Sequence, residues 1–272
     1  RQEIALEIYE DLEEVPPWIE HSAPFVGGPR QSLPDTAREV LGIDREAQTS
    51  WSNDPYAPLR GWRDAVEALG VLVMQGGPVE VTEMRGFASI EPASLPAILL
   101  NSKDDPRARA FTLVHELGHI VLSRRGEKVG PQTERWCDRF AGQVLMPTEW
   151  LREEFASSSG STLDRVRGLA RTFHVTPLAA AVRITQVGLV SEGEGGAAIG
   201  WIRTRYKPSE EDEGSGGGDY YKNQVARFGP GYLGLVFSAL DSQAITLPTA
   251  TGLLDGVKVK NLERLREELG TR

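Results

Sequence analysis

The stretch DPRARAFTLVHELGHIVLSRRG, residues 105–126, decides how this chain is read. Asp105 is a good N-cap, and Pro106 suits the first helical position, where a missing N–H costs nothing. The apolar pattern then runs to Leu122, so the spacing predicts one helix. Within it His115 and His119 lie four residues apart, on one face, where both imidazoles can converge on one ion. Glu116 is offset by about 100°, within reach of a water beside that ion. The residue types suit the chemistry: neutral imidazoles hold zinc without quenching its Lewis acidity, and a carboxylate is needed beside the water rather than on the metal.

The plainer alternative is a buried helix that carries two polar side chains for no chemical purpose. Histidine is scarce, with His21, His115, His119 and His174 the only four in 272 residues, and half of them fall in this motif. Phe111, Val114, Leu117, Ile120 and Val121 make the helix apolar enough to be buried. Two imidazoles and a carboxylate in such surroundings each need a partner. A metal ion with its water satisfies all three.

A catalytic zinc takes three protein ligands and leaves one position open. The next predicted helix, TERWCDRFAGQVLM, places Glu134 and Asp138 four apart on a shared face. Glu134 is assigned as the third ligand. Asp138 then becomes the acceptor that fixes the tautomer of a ligating histidine through its other ring nitrogen. Glu127, in the polar loop SRRGEKVG, is the weaker candidate. Cys137 is offset by about 60° from the Glu134–Asp138 line, which favours packing, and a fourth protein ligand would close the site to water.

Outward from this pair of helices, residues 1–57 read as an N-terminal helix followed by a Pro-, Ser- and Gly-rich surface connector with one short helix. Residues 58–150 read as the core: a helix ending at Gly70, then the β-formers VLVM, VEVTEM, RGFASIE and AILLN between turns, then the two site helices. Such a mixture is an α+β layer. Residues 151–190 read as a helical segment with the shape of a helix-turn-helix, turning at His174–Val175. Residues 191–272 read as a strand and helix region, with the strand in AIGWIRTRY and flexible loops in SEGEGG and over the acidic 208–219.

Composition narrows the classes. The chain is 40% apolar and 25% charged, ordinary for a globular protein. No apolar run approaches the roughly 18 residues of a bilayer crossing, and no secretory leader is visible. The single Cys137 excludes an internal disulfide framework and favours a reducing, cytoplasmic setting. The net charge of −9 is concentrated in residues 1–20 and 208–219, leaving the remainder close to neutral, which does not suit a generic nucleic-acid binder.

FTLVHELGHIVL, followed some fifteen residues later by ERWCDRFAGQVLMP, resembles the ImmA/IrrE family of zinc metallopeptidases. The matching positions are His115, Glu116, His119, Glu134, Asp138, Phe140, Ala141, Met146 and Pro147. Cys137 and Gly142 depart from the family, which more often has Ala at both. The resemblance implies a zincin-like fold, one zinc ion per chain, and cleavage of a regulatory protein, typically a helix-turn-helix repressor, to release stress or mobile-element genes. RQEIALEIYEDL resembles the helix that follows an Xre-type DNA-binding domain in fused members, which would explain a chain that opens on Arg1. Manganese or iron could take the same ligands.

The expected reaction is hydrolysis of a peptide bond, with Glu116 as general base. A donor for the oxyanion is also expected, with His174, Arg203 and Tyr206 as unranked candidates. The alternative function is a DNA-binding regulator whose metal site is structural or sensory. Arg165, Arg167, Arg171 and Arg183 give the helix-turn-helix-like segment a basic cast. Against it, its second helix starts Leu178, Ala179, Ala180, Ala181, with no side chain able to read a base edge.

Overall fold

The structure is a computed structural model that describes residues 1–52, 54–77, 79–128, 130–205 and 219–270. The N-terminal part is a run of helices: α1 (Gln2–Asp11), α2 (Trp18–His21), α3 (Ala23–Val26), α4 (Leu33–Leu41), α5 (Arg45–Ser50) and α6 (Tyr56–Ala68). Three strands follow, β1 (Leu72–Gly76), β2 (Gly86–Ser89) and β3 (Ala97–Asn101), then the site helices α7 (Pro106–Arg124) and α8 (Pro131–Leu145). Beyond them lie α9 (Thr148–Ser157), α10 (Thr162–Thr172), α11 (Pro177–Gln186), α12 (Glu192–Arg205), α13 (Tyr220–Phe228), α14 (Pro230–Asp241), α15 (Leu247–Leu253) and α16 (Val259–Gly270). This is the α+β class expected. No helix among the described residues is long and apolar enough to cross a membrane.

The sheet has the order β1-β3-β2, with β1 parallel and β2 antiparallel to β3. The centre of the sheet is covered on both sides, so β3 reads AILLN without polar alternation. Val73, Ile98 and Leu100 pack into the cluster that holds α6, α7 and α8, whereas Leu72 and Ala97 belong to a second cluster with α1, α13 and α14. The chain's two ends therefore meet on the back of the sheet, where Ala5 and Ile8 join Phe228, Tyr232 and Val236.

Three expectations are corrected. Residues 15–57 are not a surface connector: Trp18, Phe25, Leu33, Ala37, Leu41 and Ile43 are buried in the same core as α7. VEVTEM forms a turn in which Glu83 and Met84 donate to the Glu80 carbonyl, rather than a strand. AIGWIRTRY is not a strand, since residues up to Arg205 continue α12, and no strand occurs after β3 among the described residues. The sign of that helix was present in the sequence. Ser191 and Glu194 form a reciprocal capping box, with Ser191 Oγ to Glu194 Oε2 at 2.7 Å and Glu194 N–H to Ser191 Oγ at 3.3 Å. Gly195, Ala198 and Ile202 then make one buried face, and Gly195 is so close to α11 that a Cβ there would lie 2.0 Å from Thr185 Oγ1. Most of the acidic loop 208–219 lies outside the described residues.

What positions the site is the crossing of α7 and α8. Asp105 caps α7 as its sequence predicts, accepting from the Arg107 N–H at 2.8 Å. At the crossing, a Cβ on Gly118 would stand 3.2 Å from both Cys137 Sγ and Phe140 Cδ1, so the absence of a side chain sets how closely the two helices approach. The far end of α8 is secured from three directions. Arg38 donates to the Val144 carbonyl (2.6 Å), Gln48 to that of Leu145 (2.9 Å) and Arg183 to that of Met146 (3.2 Å). These are carbonyls that a helix leaves without intrahelical partners.

Candidate metal centre

The two helices bring the sequence-predicted ligands to one point. Nε2 of His115 and Nε2 of His119 are 3.1 Å apart. Oε2 of Glu134 is 3.3 Å from the first and Oε1 is 3.4 Å from the second. Ligands held about 2.0–2.1 Å from zinc at tetrahedral angles stand about 3.3 Å from one another, close to the separation of the two imidazole nitrogens and of each from one oxygen of the Glu134 carboxylate. Two buried imidazole nitrogens facing each other at this distance, with a carboxylate across them, suit a cation between them. The residues present fit the group.

One of the donors, His115, has a local reason for its orientation. Nδ1 of His115 lies 3.0 Å from Asp138 Oδ1, which places the proton on Nδ1 and leaves Nε2 as the free lone pair. Nδ1 of His119 is buried with no hydrogen-bond partner among the described residues. Burial lowers the basicity of His115, but the hydrogen bond with Asp138 and the charges of Glu116, Asp138 and Glu134 outweigh it and raise the group above the ordinary histidine range. His119 moves the other way, pushed down by burial and by His115. The carboxylates favour the charged form of both rings, and burial together with His115 outweighs them only at His119.

Glu116 lies between the helix and the sheet. Burial raises its carboxyl above the usual range, opposed by His115 and by a hydrogen bond from the Ala88 backbone N–H. That amide is available because of the ladder's register. Asn101 donates to the Arg85 carbonyl at 2.8 Å, so Arg85, Phe87 and Ser89 exchange bonds with β3, while Gly86 and Ala88 turn their backbone groups to the outer edge. Gly86 allows β2 to lie flush on α7, since a Cβ there would meet Thr112 Cγ2 at 2.7 Å. The outer edge of β2, which carries no further strand among the described residues, thus runs past Glu116, a feature that sequence reading did not single out.

Cys137 is a second candidate for the third ligand. Its Sγ and the two histidines' ligand atoms all lie within 4.8 Å of one another. It is fully buried, however, and burial followed by the nearby Glu134 pushes its thiol up to about 12. Glu134 reaches both Nε2 atoms and leaves the remaining side open. Glu127 is not brought to the site: it pairs with Arg125 at 3.0 Å and with Arg30.

Neither of the two oxyanion candidates among the described residues is joined to the imidazoles by a hydrogen bond or ion pair. His174 sits in the left-handed region (φ 54°) at the end of α10, packed on Trp51 at 6.0 Å. Arg203 is exposed on α12, and Tyr206 lies outside the described residues. The helix-turn-helix shape is present as α10 and α11, with Thr176 capping α11 through the Ala179 N–H (3.2 Å). Only Gln186 of α11 is exposed, and Arg183 is buried against the end of α8. That helix presents no exposed basic side chain to a groove.

A helix with two converging imidazoles, an acidic partner helix and a small mixed sheet define a metallopeptidase-type α+β domain. The family model described as the IrrE N-terminal-like domain, of peptidase family M78, matches residues 66–185. The match runs from α6 through α11, so it takes in the helix pair that sequence reading set outside the 58–150 core. No curated protein matches the chain.

Proposed function

We propose that the chain is a zinc-dependent endopeptidase in which His115, His119 and Glu134 hold the ion, Glu116 is the general base, and Asp138 orients His115. The observation that carries the reading is the triangle of donors at 3.1–3.4 Å with Glu116 beside it. Zinc held there would supply the Lewis acidity that polarises a peptide carbonyl and acidifies water. Glu116 would take the proton of the attacking water and return it to the departing amine. Its raised pKa brings its proton affinity nearer to that of water so activated. The outward-facing Gly86 backbone groups and the Ala88 carbonyl would offer an extended substrate strand a partner, laying the scissile bond across the site.

The family resemblance supports a regulatory protein, such as a helix-turn-helix repressor, as substrate, and a cytoplasmic setting. The absence of an exposed basic side chain on α11 supports peptidase action over DNA reading. The test uses purified protein and the repressor encoded beside it. Wild type should contain about one zinc per chain and make one discrete cut. Glu116→Gln should retain the zinc and lose about 10²- to 10⁴-fold in cleavage rate. Undiminished cleavage by Glu116→Gln removes that residue from the role of base, and loss of metal from it would show that it is a ligand instead.

A further inference from the structure

Glu67 takes no part in the chemistry above. It lies on the last turn of α6, and its side chain is 7% exposed. Oε1 accepts from the backbone N–H of Val73 on β1 (3.3 Å) and from that of Gly231 in the first turn of α14 (3.2 Å). Oε2 is buried without a hydrogen-bond partner among the described residues, 4.0 Å from Arg63 Nε.

The setting explains the arrangement. Leu72 donates to the Pro96 carbonyl, so in the parallel pair Leu72, Met74 and Gly76 bond to β3 and Val73 turns its backbone groups to the outer edge of β1. An open strand edge is a liability. Here no further strand covers it. Glu67 takes the Val73 N–H, and the turn at Gly229 crosses the Val73 carbonyl so closely that a Cβ would lie 2.3 Å from the oxygen. Gly229 is also left-handed at φ 83°, a conformation that a side chain would strain.

We propose that Glu67 is an ionisable latch: in its neutral form it holds α14, and with it the C-terminal helical layer, against the edge of β1, and when it ionises that layer loosens. The charges bearing on it come from its own helix, where Arg63 favours the ionised form and Asp64 opposes it. Arg63 is already engaged by Asp64, with Nη2 to Oδ1 at 2.6 Å. β1 and the first turn of α14 bring no charged side chain to it, only the two amides. On α13, Arg227 is paired with Asp255. Tyr232 of α14 hydrogen-bonds to the Leu253 carbonyl, and its pKa is raised by burial, so it stays neutral.

Burial pushes the Glu67 carboxyl up from 4.5 to about 7. The folded state therefore binds the proton more tightly than the released state does. The added stability is complete below pH 4.5 and is lost as pH rises through about 7. Full linkage over that interval corresponds to roughly 300-fold in the opening equilibrium.

Amide hydrogen exchange on the full metal-loaded chain, corrected for the intrinsic pH dependence, tests the latch. Between about pH 5 and pH 9, protection at Gly231 and Val73 should fall by roughly 80-fold, the part of the full linkage that lies above pH 5, while Leu99, paired between β3 and β2, should hold steady. In Glu67→Gln, which keeps the acceptor and cannot ionise, protection at Gly231 should be flat with pH. Gly231 tracking Leu99 in the wild type would overturn the proposal, as would a Glu67→Gln protein that keeps the full pH dependence. The wild-type measurement decides by itself if the variant does not fold.

Discussion

Replacing Asp138 by alanine removes the acceptor 3.0 Å from Nδ1 of His115 and leaves every proposed ligand in place. The imidazole is then free to adopt either tautomer and to rotate, and a fraction of the population presents a protonated Nε2 to the ion. Loss of such an outer partner costs about 10- to 100-fold in metal affinity, or about 1.4–2.7 kcal/mol. The Asp138 side chain is 57% exposed, so water screens its charge and can replace its hydrogen bond. That argues for the lower end, about tenfold. Competition of the purified variant against a chromogenic zinc chelator at neutral pH reads this directly, with Asp138→Asn as the intermediate case because its carbonyl can still accept from Nδ1. An unchanged zinc affinity in Asp138→Ala, alongside a large loss in His119→Ala, would show that packing alone fixes His115.

Two further outcomes follow from the packing. Gly86→Val drives a side chain into Thr112 Cγ2 and the Leu99 carbonyl; β2 should lift from α7, with cleavage of an extended substrate falling at least tenfold while zinc content is unchanged, as metal analysis beside a rate assay would show. Arg38→Ala leaves the carbonyls of Val144 and Ile43 without their donor and strips the guanidinium from the Trp62 and Trp150 rings. Denaturant unfolding should report a loss of about 2–4 kcal/mol; a loss below 0.5 kcal/mol would mean that water reaches those carbonyls.

The candidate ligands were legible in the sequence because their placement on each helix is local. Helical periodicity alone places His115 over His119 and Glu134 over Asp138, and the cap at Asp105 fixes where the first helix starts. What could not be read is what arrives from elsewhere. The proximity of Ala88 to Glu116 depends on the register of β2 with β3. The setting of Glu67 depends on Gly229 and Gly231, some 160 residues further along. The 15–57 stretch looks like surface because its polar residues outnumber its apolar ones, yet the few large side chains it carries are the ones that go inside. The misreading of AIGWIRTRY has a different cause: β-branched and aromatic residues outweighed the Ser191–Glu194 box, although helical spacing of Gly195, Ala198 and Ile202 was available.

The three side chains that finish α8 come from sequence positions 106, 97 and 37 residues away from the carbonyls they meet. None of these pairings can form early, because each closes a long loop whose entropy must be met before the contact rewards it. The helix bearing Glu134 and Asp138 is therefore completed only when distant stretches on either side have arrived. Assembly should be all-or-none across this region, and a chain trimmed of its first fifty residues would retain the motif yet lack a rigid frame to carry it.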